Sequence, residues 1–363
     1  MRTPAKLDPP SHESAEALES QFSRYSRQIL FERIGAEGQR RLADSHVVLI
    51  GCGALGTVLA NTLVRAGVGH LRICDRDYVE LDNLQRQVLF DEDDIAAGLP
   101  KAEAAAAKLR RVNSDVQVEP VVTDVNHTNI ERLAEGAEVI LDGTDNFETR
   151  FLINDLAVKT KRPWIYGAAI GATGLSMTII PGVTPCLRCV FEEAPPPELN
   201  PTCDTAGVLA STVNIVASLQ AVEAMKLLMG RHEEINRHLV HIDVWTGRFA
   251  NMNVDHAREP GRCPCCQRGE YPYLTGALAG TTTSLCGRNA VQVNLGAATT
   301  VSFPAIAKKL EPVATGSVRH NRFLLTAVVG DHEMTLFADG RAIIKGTNDP
   351  DRARTLYAKY FGA

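Results

Sequence analysis

No stretch of the chain approaches the roughly 20 consecutive apolar residues that a bilayer-spanning helix needs, and the polar start Met1 to Ser20 holds no apolar segment of a secretory leader. The expectation is a cytoplasmic protein with no membrane partner. A basic excess is missing as well: 38 Lys and Arg against 43 Asp and Glu give a formal net charge of -5, so no electrostatic attraction draws nucleic acid phosphates. An acidic protein partner stays compatible with that charge. No internal repeat is visible. With 45% hydrophobic and 22% charged residues the 363-residue chain has the balance of a soluble globular protein, and its length suits a large domain plus a smaller one.

Cysteine, by contrast, is plentiful. Nine cysteines in a reducing compartment point to metal binding or thiol chemistry before disulfides.

Residues 1–20 carry prolines, serines and charges without apolar periodicity and read as a flexible arm. Ile29, Leu30, Ile34 and Leu42 fall at helical spacing interrupted by Gly35 and Gly38, which predicts one broken helix or two short ones. His46 to Ile50 is a continuous apolar run that ends in Gly51, and Leu55 to Ala66 follows as a helix. Strand His70 to Cys74, helix Lys101 to Arg111, and strands Val116 to Val122 and Glu138 to Leu141 continue the alternation. Helices Phe147 to Thr160 and Thr212 to Met229, with strands Trp164 to Tyr166 and Leu175 to Ile180, extend it. This order predicts an α/β fold, a Rossmann-like doubly wound and mostly parallel sheet. The first domain is expected over residues 21–270. A proline-rich segment, Glu192 to Pro201, reads as an exposed crossover loop. From Tyr271 to Ala363 short strands at Ala290 to Leu295, Phe323 to Val329 and His332 to Phe337, then a helix Asp349 to Tyr360, predict a small α+β appendage of unassigned role.

Gly51-Cys-Gly53-Ala54-Leu-Gly56 fits G-x-G-x-x-G in the setting that gives it meaning, directly after a strand and opening a helix. Glycines let backbone approach phosphate, and the helix N-terminus offers N–H groups and a positive dipole end. Asp75 ends the next strand 19 residues after Gly56, placed to accept hydrogen bonds from a ribose. The pair supports an adenosine nucleotide, which on these residues alone could equally be NAD. Asp82-Asn83-Leu-Gln-Arg86-Gln and Pro100-Lys101 add fixed cations, which breaking the α–β link of a triphosphate requires. Asp145 and Asn146 end a strand where open α/β sheets place ligand chemistry; Asp145 could hold Mg²⁺, and either residue could instead cap the following helix. Cys186-x-x-Cys189 and Cys263-x-x-Cys266 are two knuckles suited to a tetrahedral structural Zn²⁺, although 73 residues separate them; Cys265 reads as a neighbour. Cys52, Cys74 and Cys286 read as packing residues, and His127, His238 and His241 show no metal-ligand spacing.

Together with Arg24-Tyr-Ser-Arg27-Gln, Asp75-x-Asp77 and Asp142-x-Thr-Asp145-Asn, these motifs closely resemble the ThiF/MoeB/HesA-type adenylyltransferases of the ubiquitin-activating E1-like superfamily, over about residues 22–270. The resemblance implies ATP-dependent adenylation of the C-terminal glycine carboxylate of a ubiquitin-like sulfur-carrier protein that ends in Gly-Gly. It implies that Asp75 binds ribose, that Asn83, Arg86 and Lys101 contact phosphates, and that Asp145 holds Mg²⁺. It also places structural zinc at the two cysteine knuckles. Arg27 would act as an arginine finger in the partner subunit of a homodimer. The family's loop usually has Gly where this chain has Ala54, which keeps the backbone N–H unless that position needs φ > 0. Cys203, a lone cysteine before a predicted helix, is a candidate nucleophile toward an acyl-adenylate or persulfide, with an inert thiol as the alternative. No sulfurtransferase motif is visible, so a separate persulfide donor is expected. The alternatives are an E1 that keeps a protein modifier as a Cys203 thioester and, from another class, an NAD-binding oxidoreductase or non-catalytic scaffold.

Overall fold

The computed structural model describes residues 22–193, 203–278, 282–285, 289–293 and 301–362. The expected N-terminal arm and most of the proline-rich loop lie outside the described residues. The run His46–Ile50 forms strand β1, whose last four residues are buried, as suits the middle one of the five parallel strands. Strands β2 (His70–Asp75), β3 (Gln117–Val122), β4 (Val139–Asp142), β5 (Trp164–Ile170), β6 (Thr173–Ile179), β7 (Leu239–Asp243) and β8 (Arg248–Met252) complete eight strands in the order β3-β2-β1-β4-β5-β6-β7-β8. The first five run parallel, with Leu49 opposite both Ile73 and Leu141. A tight turn at Gly171, φ +57°, reverses the chain, and β6 to β8 add antiparallel strands.

The expected broken helix is two: a short Ser26–Ile29 segment and α1 (Gly35–Asp44), parted where Gly35 takes φ +59°. On one face of the sheet lie α2 (Ala54–Ala66), α3 (Lys101–Val112) and the long α5 (Ala210–Leu228), whose buried residues form one core layer with Leu49 and Ile73. Helix α3 buries Ala102, Ala104, Ala105, Ala106 and Leu109, along with Lys101 at its start. On the opposite face α4 (Phe147–Thr160) brings Phe151, Ile153 and Leu156 against Val48 and Ile140. Leu274 belongs to this second layer, so the packing of the large sheet continues past Glu270.

The C-terminal segment is a six-stranded antiparallel sheet built from β9 (Thr282–Leu285), β10 (Ala290–Val293), β11 (Arg319–His320), β12 (Leu324–Val329), β13 (His332–Phe337) and β14 (Ala342–Lys345), in the order β11-β12-β13-β14-β10-β9. Helices α6 (Phe303–Leu310) and α7 (Pro350–Tyr360) close a separate core around Val291, Leu325, Leu336 and Ile344. Strand β14 and α6 were not legible as elements in the sequence. No helix among the described residues is long and apolar enough to cross a membrane.

Candidate active site

A cleft of about 340 Å³ opens at the carboxyl ends of the parallel strands. That is within the range of roughly 300–1,000 Å³ usual for small-molecule sites. Its floor is the glycine loop. Gly51 takes φ +89°, and a Cβ there would meet the Gly143 carbonyl at 2.6 Å; a Cβ on Gly56 would meet the Gly51 carbonyl at 2.1 Å. Gly56 is therefore a packing glycine and does not line the cleft. Gly53 has nothing within 4 Å of its missing Cβ, so the space in front of the helix N-terminus is open to a ligand. Ala54 is the first residue of α2 and is absent from the residues with positive φ, so alanine fits here without strain.

Asp75 stands beside the loop, with Oδ2 accepting from the Cys52 N–H at 2.6 Å and Oδ1 from the Asp77 N–H at 2.7 Å. Burial pushes its carboxyl up, while Lys101 draws it back down. Lys101 opens α3 after Pro100, is 3% exposed, and points Nζ at Asp77 Oδ2 at 3.5 Å. Arg86 is also buried, held by donation from Nη1 to the Asp82 carbonyl at 2.7 Å. Both cations line the cleft with Asp75, Asp145 and Asn146.

Asn83 and Asp82 do not line it. The Asn83 amide is buried in its own turn, accepting from the Glu80 N–H at 3.2 Å and donating to Asp82 Oδ1 at 2.8 Å. It shapes the turn that carries Arg86. Arg27 is exposed on the short N-terminal helix and lies outside the cleft of its own chain. The Cys203 side chain lies outside the described residues; its backbone begins a four-residue helix, Cys203–Ala206. Asn146 is the helix cap, its Oδ1 accepting from the Thr149 N–H at 2.9 Å, while the exposed Asp145 faces the cleft.

Two further cations line the cleft that sequence reasoning missed. Arg150 on α4 donates to Asp142 Oδ2 at 3.0 Å and to the carbonyls of Thr144 and Gly167 at 2.8 and 3.0 Å. Thr144 closes the loop by donating its N–H and hydroxyl to Asp142 Oδ1 at 2.9 and 2.6 Å. This buried pair fixes the turn that presents Asp145. Arg76, between Asp75 and Asp77, donates to Asp124 Oδ1 at 3.0 Å. Burial works against its charge, but Asp124, Asp77 and Asp145 outweigh that and hold the guanidinium ionised. A cation inside the D-x-D motif was the available signal for Arg76; Arg150 had none, being one of many arginines on helices.

Away from the cleft the two cysteine knuckles meet. The Sγ atoms of Cys186, Cys189, Cys263 and Cys266 all lie within 4.8 Å of one another, with separations of 3.8, 3.6 and 3.4 Å for the pairs 186–189, 186–263 and 189–266. Four sulfurs at about 2.3 Å from a tetrahedral Zn²⁺ stand about 3.8 Å apart, so the group fits that ion. Asn154 on α4 bridges the knuckles: its Oδ1 accepts from the Leu187 N–H at 2.8 Å and its Nδ2 donates to Cys265 Sγ at 3.3 Å. Cys265 is thereby outside the four.

The ThiF family model matches residues 25–287, most of the chain. The chain belongs to the ThiF family. The sulfur carrier protein ThiS adenylyltransferase of Bacillus subtilis is 44% identical over 339 residues, covering 93% of this ThiF-family chain and 99% of that protein. The SAMP-activating enzyme E1 of Haloferax volcanii is 42% identical over 250 residues, 69% of this chain and 90% of that one. Among solved structures, E. coli MccB with ATP shares the fold at 23% identity and a TM-score of 0.57, over 70% of this chain and 80% of its own. The Bacillus subtilis match is too long to stop before the C-terminal sheet, so at least part of the appendage is common to both proteins.

Proposed function

We propose that this chain is an adenylyltransferase that joins AMP to the C-terminal carboxylate of a sulfur-carrier protein of the ThiS type. The observation that carries the reading is a glycine loop and ribose-side carboxylate facing Arg86 and Lys101, with Asp145 across the same cleft. A dinucleotide oxidoreductase would use the loop and Asp75 but has no need for two buried cations beside a metal-binding carboxylate. The full-length likeness to the ThiS adenylyltransferase supports the choice of carrier.

ATP would lie with its ribose on Asp75 and its phosphates over the N-terminus of α2, where Gly53 leaves room. The carrier's Gly-Gly tail would enter from the open side, and its carboxylate, ionised at neutral pH, needs no general base. A carboxylate oxygen attacks the α-phosphorus, the bond to the bridging α–β oxygen breaks, and pyrophosphate leaves with the electron pair. Arg86 and Lys101 stabilise the charge that gathers on those oxygens. Asp145 fits the single-carboxylate, phosphate-sharing mode in which Mg²⁺ binds, and the ion would supply further charge neutralisation. Zn²⁺ at the four thiolates would be structural, since it ties the segment after β6 to the segment after β8 and none of the four cysteines lines the cleft. In a homodimer, Arg27 of a second copy would complete the cation set. Sulfur would then come from a separate persulfide donor.

The test is ATP–pyrophosphate exchange with Mg²⁺, with and without Gly-Gly-ending carriers. Carrier-dependent exchange that disappears in Asp145→Ala is expected. Absence of exchange with every carrier, together with tighter binding of NAD than of ATP, would overturn the proposal.

A further inference from the structure

The appendage meets the large sheet along one seam, and that seam is the back of the cleft. Strand β14 begins beside Arg341, whose side chain is 1% exposed and lies 3.8 Å over the Phe337 ring. Burial pulls its pKa down, and its only carboxylate neighbour at ion-pair distance among the described residues, Asp339 at 3.4 Å, is itself 42% exposed. A buried guanidinium costs more than an apolar residue of the same size would, so its placement calls for a partner. Its shortest hydrogen bond crosses the seam: Nη2 donates to the Arg76 carbonyl at 2.7 Å. Nη1 points at Gln292 Oε1 at 3.5 Å, and Gln292 Nε2 donates to Asp124 Oδ2 at 2.7 Å. Asp124 Oδ1 accepts from Arg76. The ring closes through the Arg76 backbone carbonyl and the side chains of Arg76, Asp124, Gln292 and Arg341, with two residues on the appendage and two lining the cleft.

The ring has a defined place relative to the nucleotide. Asp75 ends β2, and Asp124 follows β3, which lies on the side of β2 away from the glycine loop. Arg76 and Asp124 therefore wall the cleft beyond the ribose position. Nearby, Tyr78 packs with Phe337, and Asn321 Nδ2 donates to the Gly98 carbonyl at 2.8 Å, three residues before Lys101. The appendage grips the chain just after Asp75 and the chain just before Lys101.

The geometry points to Arg341 as a positioning residue for the nucleotide cleft: with Gln292 it fixes the Arg76–Asp124 pair, so that the C-terminal sheet sets the affinity for ATP without touching the carrier. This rests on the adenylation reading above. Loss of Arg341 removes the donor to the Arg76 carbonyl and one partner of Gln292, so the backbone of Arg76 and the Gln292 side chain that holds Asp124 are less firmly fixed, which weakens a site that depends on fixed charges.

The experiment measures ATP binding to the full chain by titration calorimetry, alongside kcat and the KM values for ATP and carrier in pyrophosphate exchange. Arg341→Met keeps the apolar stem and removes the donors; ATP affinity should fall about tenfold, the scale of a lost charge-assisted hydrogen bond. The carrier KM should stay within twofold, and Arg341→Lys should recover most of the ATP affinity. Unchanged ATP affinity in Arg341→Met would overturn the inference. So would a parallel loss of ATP affinity, kcat and carrier KM that lysine does not restore, because that pattern marks a structural role alone. If Arg341→Met does not fold, Gln292→Leu decides, with ATP affinity about threefold weaker expected and no change refuting. A wild-type chain that binds no ATP at all would instead sink the adenylation reading, and this inference with it.

Discussion

Arg150→Met is the substitution whose cost the structure defines best. Arg150 is 6% exposed and Asp142 fully buried, and their 3.0 Å contact is joined by two more bonds from the guanidinium to backbone carbonyls. The guanidinium carbon also sits 5.3 Å from the Tyr166 ring centroid and 5.5 Å from that of Phe147. Methionine keeps part of the stem packing but strands the Asp142 charge in the interior. Breaking a buried pair on one side costs about 3–5 kcal/mol, a large part of the roughly 5–15 kcal/mol that keeps a domain folded. Removing both charges in Asp142→Asn/Arg150→Met should cost less than Arg150→Met alone, since no buried charge is left over. Urea unfolding followed by tryptophan emission reports this region, because Trp164 on β5 is fully buried while the second tryptophan, Trp245, is 80% exposed. A loss below about 1 kcal/mol in Arg150→Met, or a double variant worse than the single, would refute the reasoning.

Other outcomes can be stated briefly. Gly56→Ala should abolish ATP binding and destabilise the fold, because its Cβ would lie 2.1 Å from the Gly51 carbonyl and backbone cannot move aside there; calorimetry and thermal unfolding check both. Lys101→Ala should lower kcat/KM in pyrophosphate exchange by about 10²-fold, the usual cost of losing a fixed charge at a reacting phosphate. One zinc per chain is expected by elemental analysis, and Cys263→Ser should lose it along with thermal stability. His46 stacks on His70 at 4.0 Å, and burial, then the charges of His70 and Arg72, push its pKa down to about 4. The folded state therefore binds fewer protons than the unfolded one: stability is full above about pH 6.5 and falls toward pH 4, by about 1 kcal/mol after solvent screening. His46→Asn should remove that part of the pH dependence, measured as the difference from wild type in denaturant midpoints.

Much of the fold was legible because its signals are local. The apolar run His46–Ile50, the glycine that must follow it and the helix over Ala54–Ala66 are set by neighbours a few residues away, and so were found. The two cysteine knuckles were readable for the same reason, as each pair is only three residues apart. Asn83 is of a residue type suited both to phosphate and to capping its own turn, and the packed turn shows its amide engaged in the second of these. Arg76 and Arg150 reach the cleft because β2 ends and α4 begins beside it.

What the sequence alone determined is the strand–glycine–helix frame, two cysteine knuckles of a kind that suits a metal and the acid–cation character of one strand-end cleft, all written in short-range patterns. Tertiary structure alone decided which charges face one another. Arg341 and Arg76 are 265 positions apart, and no periodicity or propensity acts over such a distance. Their contact exists because two independently packed sheets dock along one seam.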